Sequence, residues 1–197
     1  KEKNNLIKEL LKKIEIGTVI KPDISENQVK TIYLGIGSNL GNRIGNIEKA
    51  KLSLFENNIN FLSVSSYYET PSWPNPKNPK FINIVLKAEC SLNPYELLNL
   101  CKSVEVKLGR KKAPKNAPRE CDIDIIDFNS LILNGEINLP HKMMHLRSFV
   151  LIPLFEIEKL WVHPIKRIDI KNLIFSLTNQ DIRSIKQIWI NAIIRNA

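Results

Sequence analysis

Asp122 and Asp124 stand two residues apart in the apolar run CDIDIIDF, and their spacing is the sharpest chemical signal in the chain. A β-strand has a side-chain period of two, so both carboxylates emerge on one face. Cys121, Ile123 and Ile125 take the opposite face and can enter a core. Adjacent acids repel each other unless a cation, an arginine or a hydrogen-bond network compensates. Magnesium takes hard oxygen ligands and keeps waters, so a carboxylate pair with polyphosphate oxygens is an ordinary site for it. Taken alone, the pair also fits a solvated strand face balanced by lysines. Asp127 falls out of phase and reads as a surface or turn residue.

The segment before this strand carries Lys107, Arg110, Lys111, Lys112, Lys115 and Arg119, with no acid between 107 and 119. Lysine is a mobile point charge, whereas arginine offers a rigid fork suited to phosphate oxygens. A basic loop feeding directly into two acids suits a polyphosphate carrying magnesium, although the same loop could grip RNA. His141 and His145 lie four apart, but no HExxH pattern surrounds them and Pro140 precedes them, which disfavours zinc. One of them fits better as a hydrogen-bond donor to phosphate, and Arg147 could neutralise charge on a transferred group. His163, before Pro164, reads as structural. Phe81 and Asn83 share a strand face and could stack on and hydrogen-bond to a flat heterocycle; a core Phe beside a satisfied Asn fits equally well. GIGSNLG, from Gly35 to Gly41, is neither GxGxxG nor a P-loop. Its glycines serve either close backbone approach or a tight turn.

The elements that must position these groups follow from periodicity. TIYLGIGS, FLSVSSYYET, FINIVLKAEC and CDIDIIDF read as strands. Asn46–Asn57 and YELLNLCKSVEVKL read as helices, the second with Asn93 as cap and Pro94 in its first turn. PSWPNPKNPK, with four prolines, is a restricted loop. Further helices are expected over residues 5–13 and around SFVLIPLFEI, where Pro153 weighs against the second. The order is βαββαβ, an α+β ferredoxin-like core with two helices on one face of the sheet and additional C-terminal elements. The expected division is a flanking segment over 1–30, a main domain over 31–164 and a C-terminal extension over 165–197, suited to docking a neighbouring domain or subunit.

Of 197 residues, 43% are hydrophobic and 25% charged, ordinary for a soluble domain, with a net charge of +9 that fits a phosphate-rich ligand. No stretch approaches the roughly 20 apolar residues that cross a bilayer, and Cys90, Cys101 and Cys121 suit a reducing cytoplasm. A ferredoxin-like RNA-binding domain is the competing assignment; the acids beside the basic loop and the lack of an aromatic platform disfavour it.

Together these pieces resemble the 6-hydroxymethyl-7,8-dihydropterin pyrophosphokinase family of folate biosynthesis, from about Thr31 to Pro164. The resemblance is carried by GIGSNLGNR, SSYYETPSW, FINIVL, the run from Glu105 to Arg110, APRECDIDI, LPH and RSFVLIPLFEI. It implies transfer of pyrophosphate from ATP to the pterin, with two magnesium ions held by Asp122 and Asp124. It places Arg110, Arg119, His141 and Arg147 on phosphates and Lys112 at a further basic loop position. Glu105, Ile125 and Asn138 fall near the nucleotide, and Thr70, Pro71, Phe81, Asn83 and Phe149 around the pterin. The implied partners are these small molecules, with neither nucleic acid nor membrane, and fusion to another folate-pathway enzyme is an open expectation. The chain departs from the family at Asn116, where some members carry a covering tryptophan, and at Met143 and Met144.

Overall fold

The computed structural model of the protein describes residues 28–114 and 116–189. The helix expected over 5–13 and Lys115 lie outside the described residues. The central strands are β1 (Lys30–Ser38) and β4 (Phe81–Cys90), paired antiparallel along their whole length. Both are flanked on each side and are apolar on both faces, as strands buried within a layered fold must be. The outer neighbour of β1 is β5 (Asp122–Phe128), and β2 (Asn60–Val64) and β3 (Tyr67–Thr70) both pair with β4.

The sheet therefore runs β5-β1-β4-β3, with β2 alongside β4, and this is the ferredoxin-like order with its second strand divided. Ser65 makes the division. Its backbone N–H donates to Val85 O at 2.9 Å, and its hydroxyl accepts from Val85 N at 3.0 Å, taking the place a strand carbonyl would occupy. FLSVSSYYET is thus two strands rather than one.

Helices α1 (Arg43–Glu56) and α2 (Pro94–Lys107) cover one face of the sheet. Ile47, Ala50 and Leu54 of α1 and Leu97, Cys101 and Val104 of α2 share a core there with Leu34, Ile36 and Ile123 of the strands. The start of α2 follows from its sequence: the Asn93 side chain accepts from Tyr95 N and Glu96 N, and the Glu96 side chain accepts in return from Asn93 N.

The opposite face is covered by α3 (Ser148–Ile157) and α4 (Ile170–Phe175), whose Val150, Leu151, Leu154, Ile170 and Leu173 form a second core with Tyr33, Val85, Ile126 and Trp161. Pro153 lies inside α3 without ending it. An interior proline costs about 3 kcal/mol; burying Val150, Leu151 and Leu154 at about 1.5–3 kcal/mol each outweighs that. Met144 is buried in this same core, beneath the short 3-10 turn Met144–Leu146. Past α5 (Asn179–Ser184), β6 (Lys186–Ile188) adds to β3 as a final edge strand. Residues beyond 164 thus contribute both to the second core and to the sheet.

Asp127 corrects the sequence expectation. It is buried, not a surface residue: Trp161 Nε1 donates to its Oδ2 at 2.8 Å and Ser130 N to its Oδ1 at 3.0 Å. Burial raises its pKa, the Trp161 bond opposing the shift. The cause is a β-bulge. Tyr33 opposes Asp127 while Leu34 opposes Ile125, so Ile126 is an extra residue and the alternation flips after it. Among the described residues no helix is long and apolar enough to cross a membrane.

Candidate active site

One end of the sheet opens into a cleft of about 440 Å³. The start of β5 brings Asp122 and Asp124 to it, β3 and the chain after it bring Thr70, Pro71 and Trp73, and β4 brings Phe81 and Asn83. The basic loop supplies Arg110, Lys111 and Arg119, and the segment entering α3 supplies His141, Arg147 and Phe149. Groups that the sequence expectation divided between phosphate and heterocycle therefore share one cavity.

The two carboxylates differ in their surroundings. Asp122 has a side chain 17% exposed, with Oδ1 at 2.8 Å from Arg110 Nη1 and Oδ2 at 2.5 Å from Arg119 Nη2. Burial pushes its pKa up, but Arg119 and then Arg110 outweigh that and hold the carboxyl below the usual range. Asp124 is 36% exposed and more loosely engaged, with Arg147 Nη1 at 3.4 Å and His141 Nε2 at 3.9 Å. It has room for a further cation.

Arg119 lies over the Phe81 ring, 5.4 Å from its centroid. Arg147 lies over both Trp73, at 5.3 Å, and Phe149, at 5.5 Å. Flat cations thus stack on the aromatic faces that line the cleft. The Nε atoms of Arg119 and Arg147 are buried and have no hydrogen-bond partner. A buried donor left unpaired costs about 1–3 kcal/mol, so both are suited to an anion. His141 Nδ1 accepts from Met143 N at 3.3 Å, which leaves Nε2 as the protonated nitrogen of a neutral ring. Burial lowers the His141 pKa, partly opposed by Asp124, and favours that neutral form.

Asn83 Nδ2 donates to Thr70 Oγ1 at 3.0 Å, tying the two polar groups of the aromatic end together. Gly37 of β1 lies behind them. A Cβ there would stand 2.8 Å from Asn83 Oδ1 and 3.2 Å from Phe81 Cδ1, so close approach explains this glycine.

Ile125 and Asn138 line a smaller adjoining cavity of about 180 Å³, which shares Lys102, Asp124 and His141 with the first. Glu105 and Lys112 line neither. Glu105 is 1% exposed and stands behind Arg110: its Oε1 accepts from Ile123 N at 2.8 Å, and its Oε2 pairs with Arg110 at 2.6 Å and Lys102 at 3.1 Å. Lys102 lines both cavities and was missed; its place three residues before Glu105 on one helix face was the available signal. Trp73, which closes the SSYYETPSW motif, lines the larger cavity. Asn116 adopts φ +65, a left-handed conformation that suits asparagine better than tryptophan. His163 is buried, its Nδ1 accepting from Ile165 N and Lys166 N, and serves the structure.

A family model described as 7,8-dihydro-6-hydroxymethylpterin-pyrophosphokinase (HPPK) matches residues 33–159. The pyrophosphokinase of Aquifex aeolicus is 41% identical over 142 residues, covering 72% of this chain and 88% of that protein. The chain belongs to the HPPK family. It is a pyrophosphokinase of folate biosynthesis, transferring pyrophosphate from ATP to 6-hydroxymethyl-7,8-dihydropterin with release of AMP. HPPK membership implies dependence on magnesium and ATP. A folic acid synthesis protein of Pneumocystis carinii is 35% identical over 164 residues, which are 82% of this chain but only 22% of that larger protein. The fold also matches a Plasmodium falciparum HPPK-DHPS structure, with a TM-score of 0.66 at 15% identity over 84% of this chain and 48% of that one.

Proposed function

We propose that Asp122 and Asp124 hold the two magnesium ions of the HPPK reaction, that Arg110, Arg119, His141 and Arg147 contact the triphosphate, and that Phe81, Asn83, Thr70, Pro71 and Phe149 receive the pterin. The supporting observation is a single cleft that combines two same-face carboxylates with two buried arginine Nε atoms lacking partners and, beside them, an aromatic and amide end. Among the described residues no three His, Cys, Asp or Glu side chains converge as a metal cage. Two carboxylates fit magnesium, which fills its remaining positions with phosphate oxygens and water. When bound there it would neutralise phosphate charge and make the β-phosphorus more electrophilic.

The protein's own part is positioning and charge compensation. Arg110 and Arg119, held on Asp122 without substrate, turn toward the phosphates as these arrive. Neutral His141 donates from Nε2 to a phosphate oxygen. The bond from the pterin hydroxymethyl oxygen to the β-phosphorus forms as the bond from that phosphorus to the α,β-bridging oxygen breaks, with AMP leaving and the hydroxyl proton passing to water. Trp73, already stacked on Arg147, takes the covering role that a tryptophan at position 116 plays in some family members. Ile125 and Asn138 lie beside the nucleotide in the smaller cavity. The buried free thiols of Cys90, Cys101 and Cys121 suit a cytoplasmic setting. The larger relatives support another folate-pathway enzyme as a fused or docked partner.

The deciding experiment measures AMP and pterin diphosphate from ATP, with and without the pterin and with EDTA. Equal amounts of both products, lost on omitting pterin or adding chelator, are expected. AMP formation independent of pterin would overturn the assignment. Gly37→Ala is expected to raise the pterin KM by about 5- to 150-fold, as 1–3 kcal/mol of overpacking implies, with ATP KM unchanged. Equal effects on both substrates would remove Phe81 and Asn83 from the pterin end.

A further inference from the structure

Asn39 follows the end of β1, is 2% exposed, and joins three separate segments. Its Oδ1 accepts from Arg119 N at 2.7 Å, and its own backbone N–H donates to Arg119 O at 3.1 Å. These reciprocal bonds clamp the exit of the basic loop. On its other side, Nδ2 donates to Pro79 O at 3.1 Å and to Ser72 Oγ at 3.4 Å, which gathers both ends of the proline-rich loop. The platform is braced in turn, since Asn46 of α1 donates to Leu40 O at 2.9 Å. Only a planar group with an acceptor and a paired donor meets these demands at once; aspartate lacks the donor.

We propose that Asn39 is a positioning residue for pyrophosphate transfer: it fixes the Arg119 backbone, and through it the guanidinium, against the loop and strand that carry the pterin end. This rests on Arg119 contacting phosphate. The side chain of Arg119 spans from Asp122 to the Phe81 ring, so a backbone shift at 119 moves the cation relative to both ends of the cleft. Misplacement by about 1 Å is worth on the order of a hundredfold in rate.

The test compares Asn39→Ala, Arg119→Ala and the double variant in steady-state kinetics. Asn39→Ala should lower kcat by roughly 10- to 100-fold with ATP KM within about threefold. The double variant should be no slower than Arg119→Ala within about threefold, because Asn39 acts through Arg119. Multiplying losses would overturn the proposal. An Arg119→Ala enzyme with unchanged turnover would instead remove Arg119 from the phosphates, a separate failure. Asn39→Asp keeps the acceptor for Arg119 N and drops the donor to Pro79. It should lower kcat by less than about tenfold while pterin KM rises about tenfold or more, because a buried carboxylate oxygen then faces the Pro79 carbonyl. If Asn39→Ala does not fold, this variant decides alone: a kcat loss of tenfold or more would overturn the proposal. Failure of both variants to fold would mark Asn39 as purely structural and overturn it too.

Discussion

Asp122→Ala and Asp124→Ala should each lower pyrophosphate transfer by roughly three orders of magnitude or more, in protein that remains folded. Both carboxylates stand on one strand face at the cleft; Glu120 also lines it, but among the described residues no three acid, His or Cys side chains converge as a metal site. Loss of either leaves a single strand-face carboxylate for two magnesium ions. The two variants should differ in stability. Asp124 is loosely engaged, so its removal should cost little. Removing Asp122 leaves Arg119 without its acid, while Arg110 keeps Glu105. The pH dependence follows from the depressed Asp122 pKa. Its contribution is fully present above the ordinary aspartate value of about 3.9 and is lost as pH falls through the lower folded value. Asp122→Asn should accordingly flatten the acid limb of the thermal-stability profile. Initial rates, magnesium–ATP titration and melting curves check these outcomes. Full activity in either alanine variant would sink the metal assignment.

The carboxylate pair was legible because a strand alternates, and the aromatic and amide pair at Phe81 and Asn83 was legible for the same reason. Both pairs lie in uninterrupted stretches of β5 and β4. The same rule failed at Asp127, where Ile126 is inserted opposite Tyr33 and Leu34 and no local residue type announces the bulge. It also ran through Ser65, whose hydroxyl replaces a ladder carbonyl without changing the apparent strand pattern. The caps at Asn93 and Glu96 are local chemistry and could be read directly. By contrast, Glu105 and Asn39 take their roles from partners far along the chain: Ile123 is 18 residues from the first and Arg119 80 residues from the second. No spacing rule reaches such pairs. The family resemblance placed Glu105 near the nucleotide, and only the folded geometry shows it behind Arg110 and lining neither cavity.

That geometry gives Glu105→Ala the largest expected effect on stability, a loss of about 3–5 kcal/mol in urea unfolding, as for a broken buried ion pair. The carboxylate is almost inaccessible and serves three groups at once: the Ile123 amide, Arg110 and Lys102. Truncation leaves the amide of a central core residue without its acceptor and opens space between α2 and β5. Lys102, half exposed, can turn to water. Arg110 cannot turn away freely, because Asp122 still holds it, so the remaining cost falls on the amide and the void. Glu105→Gln keeps one oxygen for Ile123 N and most of the volume, and should lose only about 1–3 kcal/mol. Catalysis separates the positional role from simple instability. Measured well below the melting temperature, Glu105→Gln should still lower kcat by roughly tenfold, because Arg110 would retain one of its two acidic anchors. Unchanged kcat in a destabilised protein would confine Glu105 to the fold. A rise in ATP KM without loss of stability would instead place its carboxylate on the nucleotide.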